Sequence, residues 1–290
     1  MVVATSFTCL WCGAHHTVRD PGDLEAWARL CPDCLGRASE NEFLRFRLRQ
    51  ALEARGRAVE GSAAERELDG ELIRYYEARA PEYDDWYLRR GRYAHGPVHD
   101  QAWAAELDAA GRWLDGLPIS GDIMELAAGT GWWSPLLAAK GTLSAYDAAG
   151  GPLDVARERL LAHRLRAHLH VRDAWAEPDR PVDALFTGFW LSHVSAARLD
   201  AFLGLAHRWL RPGGLYAAID SLPDPHSGSP DTEPAGDGVQ VRRLADGRTF
   251  RVRKVIHAPV ELEAAIRRAG FSSVEVTTTG RFFILASGRA

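Results

Sequence analysis

The chain's four cysteines all fall near its start, as Cys9-x-x-Cys12 and Cys31-x-x-Cys34, separated by 18 residues. Each pair sits on a tight knuckle: Gly13 follows the first, Pro32 lies inside the second and Gly36 follows it. Four thiolates at this spacing can close a tetrahedron around Zn2+, and a closed four-sulfur site has no open position for a substrate, so its role is structural. His15 and His16 are alternative ligands by type. Reduced free thiols are the plain alternative, but so small a segment has too little core to fold unaided.

A second stretch is built to lie against a ligand. The apolar run at Ile123 and Met124 leads through Glu125-Leu126-Ala127-Ala128-Gly129-Thr130-Gly131 into Pro135, Leu136, Leu137 and Ala138, which reads as strand, tight turn and helix. Gly129 and Gly131 permit positive φ and let a ligand rest on bare backbone. A nicotinamide or flavin fingerprint needs a third glycine three places after the second, where this chain has Trp132, Trp133 and Ser134. That disfavours a pyrophosphate. Residues 142–146 read as a second strand ending at Asp147, an acid placed to accept both hydroxyls of a ribose whose tail lies on the glycine turn. A helix cap for the pattern beginning near Pro152 is its structural alternative.

In this stretch the chain resembles the class I S-adenosylmethionine-dependent methyltransferases, whose first motif ends a strand with an acid and this glycine turn. It departs from them at Ala127, where the family usually has glycine; alanine is the smallest change that keeps backbone access. The resemblance implies cofactor contacts at Glu125, Ala127, Gly129 and Gly131 and assigns the ribose to Asp147. It assigns the adenine amino group to the acid-small pair after the third strand, Asp173 and Ala174, and adds Phe189 after the fourth. The cluster from Tyr75 to Tyr87 resembles the Tyr-Asp-x-x-Tyr-type segment that many members place over the cofactor, which implicates Tyr76 and Tyr83. The Leu-x-Pro-Gly-Gly join at 210–214 is a further likeness. The Asn/Asp-Pro-Pro-aromatic motif of adenine- and cytosine-amino methyltransferases is absent from 188–194, and every cysteine belongs to the metal pattern, which excludes base methylation through a cysteine nucleophile. His193, a few residues past the fourth strand, is the candidate general base, since histidine titrates near neutral pH. Its structural alternative is a ring that packs or bonds to backbone.

These groups need a scaffold, and the chain supplies one in order. Residues 40–57 read as a helix with Phe43, Leu44, Phe46, Leu48 and Leu52 on one side and Arg45, Arg47 and Arg49 between them; 56–64 reads as a linker and 65–80 as a second helix stopped by Pro81. His95, Gly96 and His99 read as loop. From Asp100 onward helices and strands alternate, and residues 222–238 read as a mobile loop before a hairpin at 239–256 turned at Asp246-Gly247. The expected fold is α/β: a Rossmann-like seven-stranded methyltransferase sheet, mostly parallel with an antiparallel last strand, helices on both faces, a small N-terminal zinc module and a helical lid. The expected divisions are 1–38 for the four-cysteine zinc module, 39–99 for linker and lid, and 100–290 for the methyltransferase domain with its insertion at 221–258.

Composition narrows the partners. With 290 residues, 46% of them hydrophobic, the chain has ample core, and a net charge of −4 does not suggest a protein that lives on nucleic acid or an anionic membrane. Nearly all basic charge is arginine; Lys140 and Lys254 are the two lysines. No run approaches the roughly 18 apolar residues of a membrane span, and Met1 to Phe7 lacks the features of a signal peptide, so a cytoplasmic location is expected. The expected acceptor is a small molecule methylated on O, N or C. An RNA methyltransferase using the zinc module for RNA binding is the second reading, and a non-catalytic zinc-bearing interaction protein the third.

Overall fold

The computed structural model describes residues 6–18, 22–229 and 232–290. Its centre is a sheet of seven strands: β1 (Gly121–Leu126), β2 (Gly141–Asp147), β3 (His168–Val171), β4 (Val182–Gly188), β5 (Leu210–Ser221), β6 (Ser272–Thr278) and β7 (Phe283–Arg289). The spatial order is β6-β7-β5-β4-β1-β2-β3, and β7 alone runs antiparallel to its neighbours β5 and β6. Strand order reverses between β1 and β4, so the connections leaving their carboxyl ends diverge and open a crevice there.

The larger helices are α1 (Glu42–Glu60), α2 (Ala63–Arg79), α3 (Pro97–Gly116), α4 (Ser134–Ala138), α5 (Gly150–Ala162), α6 (Ala196–Trp209) and α7 (Pro259–Arg268). Burial alternates across the sheet as period-two strands require. Met124, Leu126, Leu185 and Tyr216 face a core shared with Phe202, Leu203 and Trp209 of α6 and Leu262 and Ile266 of α7. Ile123, Ala145, Phe186 and Ala217 face the opposite core, with Trp103, Leu107 and Leu114 of α3.

Several boundaries move from the sequence-based expectation. The linker at 56–64 shrinks to Gly61 and Ser62, because Ser62 and Glu65 form a reciprocal capping box that starts α2 at once. His99 lies inside α3, whose start Pro97 and the left-handed Gly96 define. On α1 Leu44, Ala51 and, in part, Leu48 turn inward onto the cysteine module, while Phe46 and Leu52 are exposed and Phe43, also exposed, stacks on Trp11 of that module. The hairpin Val239–Arg243 and Thr249–Arg253 joins Glu233–Pro234 in a separate antiparallel sheet. The described part of the loop after β5 is tied down: Trp86 Nε1 donates to the Ser227 carbonyl at 2.7 Å, and His95 Nε2 lies 2.8 Å from the Gly228 carbonyl. Among the described residues no helix is long and apolar enough to cross a membrane. Of the stretch Met1 to Phe7, residues 1–5 lie outside the described residues, as do 230 and 231 of the loop.

Candidate active site

The turn after β1 is held in the left-handed region three times, at Ala127 (φ 55°), Gly129 (φ 56°) and Gly131 (φ 67°). Glycine takes this conformation freely, whereas an L-residue with a Cβ is strained there, so Ala127 carries strain where its resemblance would put glycine. A Cβ at Gly129 would come within 3.1 Å of the Tyr83 hydroxyl, and one at Gly131 within 2.7 Å of Ala156 Cβ on α5. The two glycines thus leave room for the lid above and the helix behind. Trp132 stacks on Tyr87 with ring centroids 4.2 Å apart, and Trp133 fills the space beside Gly188, where a Cβ would meet it at 2.8 Å. The third glycine position of a dinucleotide fingerprint, which follows these two indoles, holds Ser134.

Above the turn lies a cavity. Asp69, Leu72, Ile73 and Tyr76, at i, i+3, i+4 and i+7 on one face of α2, form its roof together with Tyr83. Ala127, Gly129, Asp147, Asp173, Ala174, Phe189 and His193 line it too. Glu125 and Gly131 stand behind that wall. Glu125 is buried at 1% exposure and accepts from Ser134 Oγ at 2.5 Å; burial foremost, with Asp147 nearby, raises its carboxyl to about 8 against that hydrogen bond.

Asp147 accepts from Gly129 N through Oδ2 and from Ala149 N through Oδ1, both at 2.8 Å, and α5 begins without a side-chain cap, so the capping alternative does not describe it. Burial raises its carboxyl to about 6, opposed by those two amides and reinforced by Asp173 and Glu77. Asp173 is exposed and closes a turn by accepting from Trp175 N at 2.9 Å. No arginine or lysine lines this cavity among the described residues, while three carboxylates do. A phosphate would find no counter-charge; a ligand carrying hydroxyls and an ammonium or sulfonium would. S-adenosylmethionine has that chemistry, so the residues present fit it.

A second cavity shares Tyr76, Tyr83, Phe189 and His193 with the first and is lined also by residues of the tied loop and the hairpin. Phe189 also has a left-handed backbone (φ 57°), which for a bulky residue marks stored strain. Its ring packs edge-on to Trp86 at 4.8 Å. Burial first, then the positive charges of Lys254 and Arg242, hold His193 well below the usual histidine range.

A family model described as a methyltransferase domain matches residues 123–214, the span from β1 through the start of β5. The structure of a DhpI–SAH complex is 30% identical and aligns over 77% of this chain and 96% of that one, with a TM-score of 0.59.

The chain belongs to the class I S-adenosylmethionine-dependent methyltransferases.

A DhpI–SAM–HEP complex is similar to this methyltransferase at 29% identity over 77% of this chain and 98% of that one, TM-score 0.61. The Burkholderia thailandensis 1,6-didemethyltoxoflavin-N1-methyltransferase, with bound 1,6-didemethyltoxoflavin and S-adenosylhomocysteine, aligns over 79% and 91% at 15% identity and TM-score 0.51, which shows the shared fold. No curated protein matches the methyltransferase in sequence.

Outside the sheet, the sulfur atoms of Cys9, Cys12, Cys31 and Cys34 all lie within 4.8 Å of one another. A zinc–thiolate bond of about 2.3 Å sets a tetrahedral edge of about 3.8 Å, and the Cys12 and Cys31 sulfurs are 3.7 Å apart. Burial opposes ionisation of Cys9, but the amides of Cys12, Cys31 and Trp11 outweigh it and bring the thiol down to about 6; burial and neighbouring sulfurs push Cys34 up to about 12. Thiols crowded this way suit a divalent cation. His16 lies 2.7 Å from Glu25, a partner other than the cluster.

Sequence reasoning missed Asp69 and Lys254. The helical spacing of Asp69 with Tyr76 was its available signal. Lys254, one of two lysines, donates to Ser192 Oγ at 2.8 Å and Ser221 Oγ at 3.0 Å and lines the second cavity. It comes from the hairpin sheet, whose docking the sequence does not encode locally.

Proposed function

We propose that this methyltransferase binds S-adenosylmethionine in the first cavity and methylates a small-molecule acceptor held in the second. The observation that carries the reading is the wall of Tyr76, Tyr83, Phe189 and His193 common to both cavities. Cavities that share these lining residues adjoin one another, and two ligands that meet at that junction are positioned for an in-line displacement. The enclosure beneath the lid suits a metabolite better than a duplex.

In this reading Asp147 accepts the ribose hydroxyls on the lone pairs its two amide donors leave free. Asp173 takes the adenine amino group, Ala174 lies along the base, and Ala127 and Gly129 offer bare backbone to the cofactor's tail. Glu125 and Gly131 act from behind, shaping the turn. The bound cofactor supplies an electrophilic methyl group, whose bonding pair returns to sulfur as the bond to the acceptor forms. Where the acceptor loses a proton, the proton passes to the Tyr76 oxygen as the Tyr76 hydroxyl proton moves to His193 Nε2. The aromatic lid excludes water.

Zinc binding by Cys9, Cys12, Cys31 and Cys34 is part of the same proposal. Their sulfur positions support it, and the ion would supply much of that module's folding energy.

The test offers S-adenosylmethionine with a labelled methyl group to the full-length protein, together with a panel of phenols, alcohols and amines in one arm and ribosomal RNA in the other. Label in the small-molecule fraction, matched by S-adenosylhomocysteine release, is expected. Label confined to RNA would overturn the acceptor class.

A further inference from the structure

The second cavity carries positive charge that the protein itself leaves unbalanced. Arg79, the last residue of α2, is 4% exposed and lines this cavity. Its guanidinium carbon lies 4.6 Å from the Tyr83 ring centroid and 5.5 to 5.9 Å from those of Tyr75, Tyr76 and Tyr93. Ring faces attract a cation but do not neutralise it. Its Nε has no hydrogen-bond partner, and no carboxylate among the described residues pairs with it.

Arg242, on the hairpin strand Val239–Arg243, is half-buried with its guanidinium carbon 5.7 Å from the Tyr75 ring centroid; it donates to Gln240 Oε1 at 3.2 Å and likewise has no carboxylate partner among the described residues. Lys254 adds a third cation, shared with Asp220 at 3.6 Å. The carboxylate on the lining, Asp224, is already taken by Arg281 at 2.6 Å and His226 at 3.3 Å. The two linings therefore differ in charge: Asp147, Asp173 and Asp69, the last paired with Arg198 at 2.6 Å, on the cofactor side, and Arg79, Arg242, Arg243 and Lys254 on the other.

A guanidinium held out of water without an anion is costly. Its planar fork of donors matches the oxygens of a carboxylate or phosphate-type group. From this geometry we infer that the acceptor carries an oxyanion, bound by Arg79 and Arg242 with Lys254 beside them. The inference rests on the reading of the second cavity as the acceptor site, and it names the class of acceptor. Arg79 and Arg242 are then specificity-determining residues. A neutral analogue of the acceptor leaves both unpaired and is rejected.

The test titrates the full-length protein, saturated with S-adenosylhomocysteine, with inorganic phosphate in one arm and acetate in the other, at constant chloride-balanced ionic strength. At least one anion should bind once per chain, with a Kd on the order of 1 mM. Arg79→Gln and Arg242→Gln should each weaken that binding tenfold or more. Arg79→Gln alters a buried group, so Arg242→Gln serves as the independent check, with its circular dichroism and S-adenosylhomocysteine affinity unchanged. Binding of phosphate alone points to a tetrahedral oxyanion, and binding of acetate alone to a carboxylate. Failure of both anions to bind up to about 50 mM, or equal binding in both variants, overturns the inference. If S-adenosylhomocysteine itself fails to bind, the cofactor reading fails, and the same titrations without it still decide the anion site.

Discussion

The Tyr76 hydroxyl lies 2.8 Å from His193 Nε2, on the wall between the two cavities, while Nδ1 of the same ring lies 2.6 Å from the Arg253 carbonyl oxygen. A carbonyl can only accept, so Nδ1 carries the hydrogen, and Nε2 keeps a lone pair that accepts from Tyr76. Burial above all raises the Tyr76 phenol to about 12, which keeps it protonated as the donor.

This pair should act as a unit. His193→Ala should lower turnover about a hundredfold while S-adenosylhomocysteine affinity holds, and Tyr76→Phe should lower it by a comparable factor. Because the imidazole is held below its ordinary range, the rate should be flat from pH 7 to 8 and fall only on the acid side. Steady-state kinetics across pH check this. Unchanged turnover in both variants would leave positioning alone as the source of rate.

The strain at Ala127 predicts a stabilising substitution. Ala127→Gly trades the left-handed penalty of roughly 1–2 kcal/mol against greater freedom of the unfolded chain, about 0.5–1 kcal/mol. The net gain should be about 0.5–1 kcal/mol, or roughly 2 °C in Tm, read by thermal unfolding. A fall in Tm would show that alanine's methyl contributes packing beyond its strain.

Glu125 gives a pH signature with a definite sign. Its folded-state value, about 8, exceeds that of the unfolded chain, so the stability it contributes is fully present below the unfolded value and is lost as pH rises through about 8. Glu125→Gln copies the neutral acid and still accepts from Ser134. The variant should match the parent near pH 4.5 and exceed its stability by about 1 kcal/mol or more at pH 8. Urea unfolding at both pH values decides, and an equal difference at the two would contradict the assignment.

The cysteine cluster predicts one zinc per chain in a freshly prepared, reduced sample. Cys31→Ser should loosen the amino-terminal module, read by proteolysis of the first 35 residues, and leave cofactor affinity within about twofold, since the cluster and the first cavity share no residue. A metal-free sample with the module intact would end the zinc proposal.

Much of this was legible in the sequence where local chemistry decides. The strand, acid and glycine turn of 121–131, the carboxylate ending β2 and the paired cysteines all rest on short-range constraints, and β1, Gly121–Leu126, forms around its apolar run. What the sequence did not disclose depends on distant partners. The inward face of α1 is chosen by the cysteine module, the meeting of Tyr76 with His193 spans 117 positions, and Lys254 reaches the second cavity only because the hairpin sheet docks there. Glu125 shows the reverse case: the motif marks it as a cofactor contact, but burial and Ser134 place it behind the cavity wall.

The most direct test of the account is calorimetric titration of S-adenosylhomocysteine into the parent protein and Asp147→Ala. In the parent, affinity should fall as pH drops below about 6, because the protonated carboxyl no longer accepts from both ribose hydroxyls. The variant should bind about 2 kcal/mol more weakly at pH 7.5 and lose that pH dependence. Equal affinity in the two proteins, with the same pH profile, would contradict the placement of the cofactor on which the rest depends.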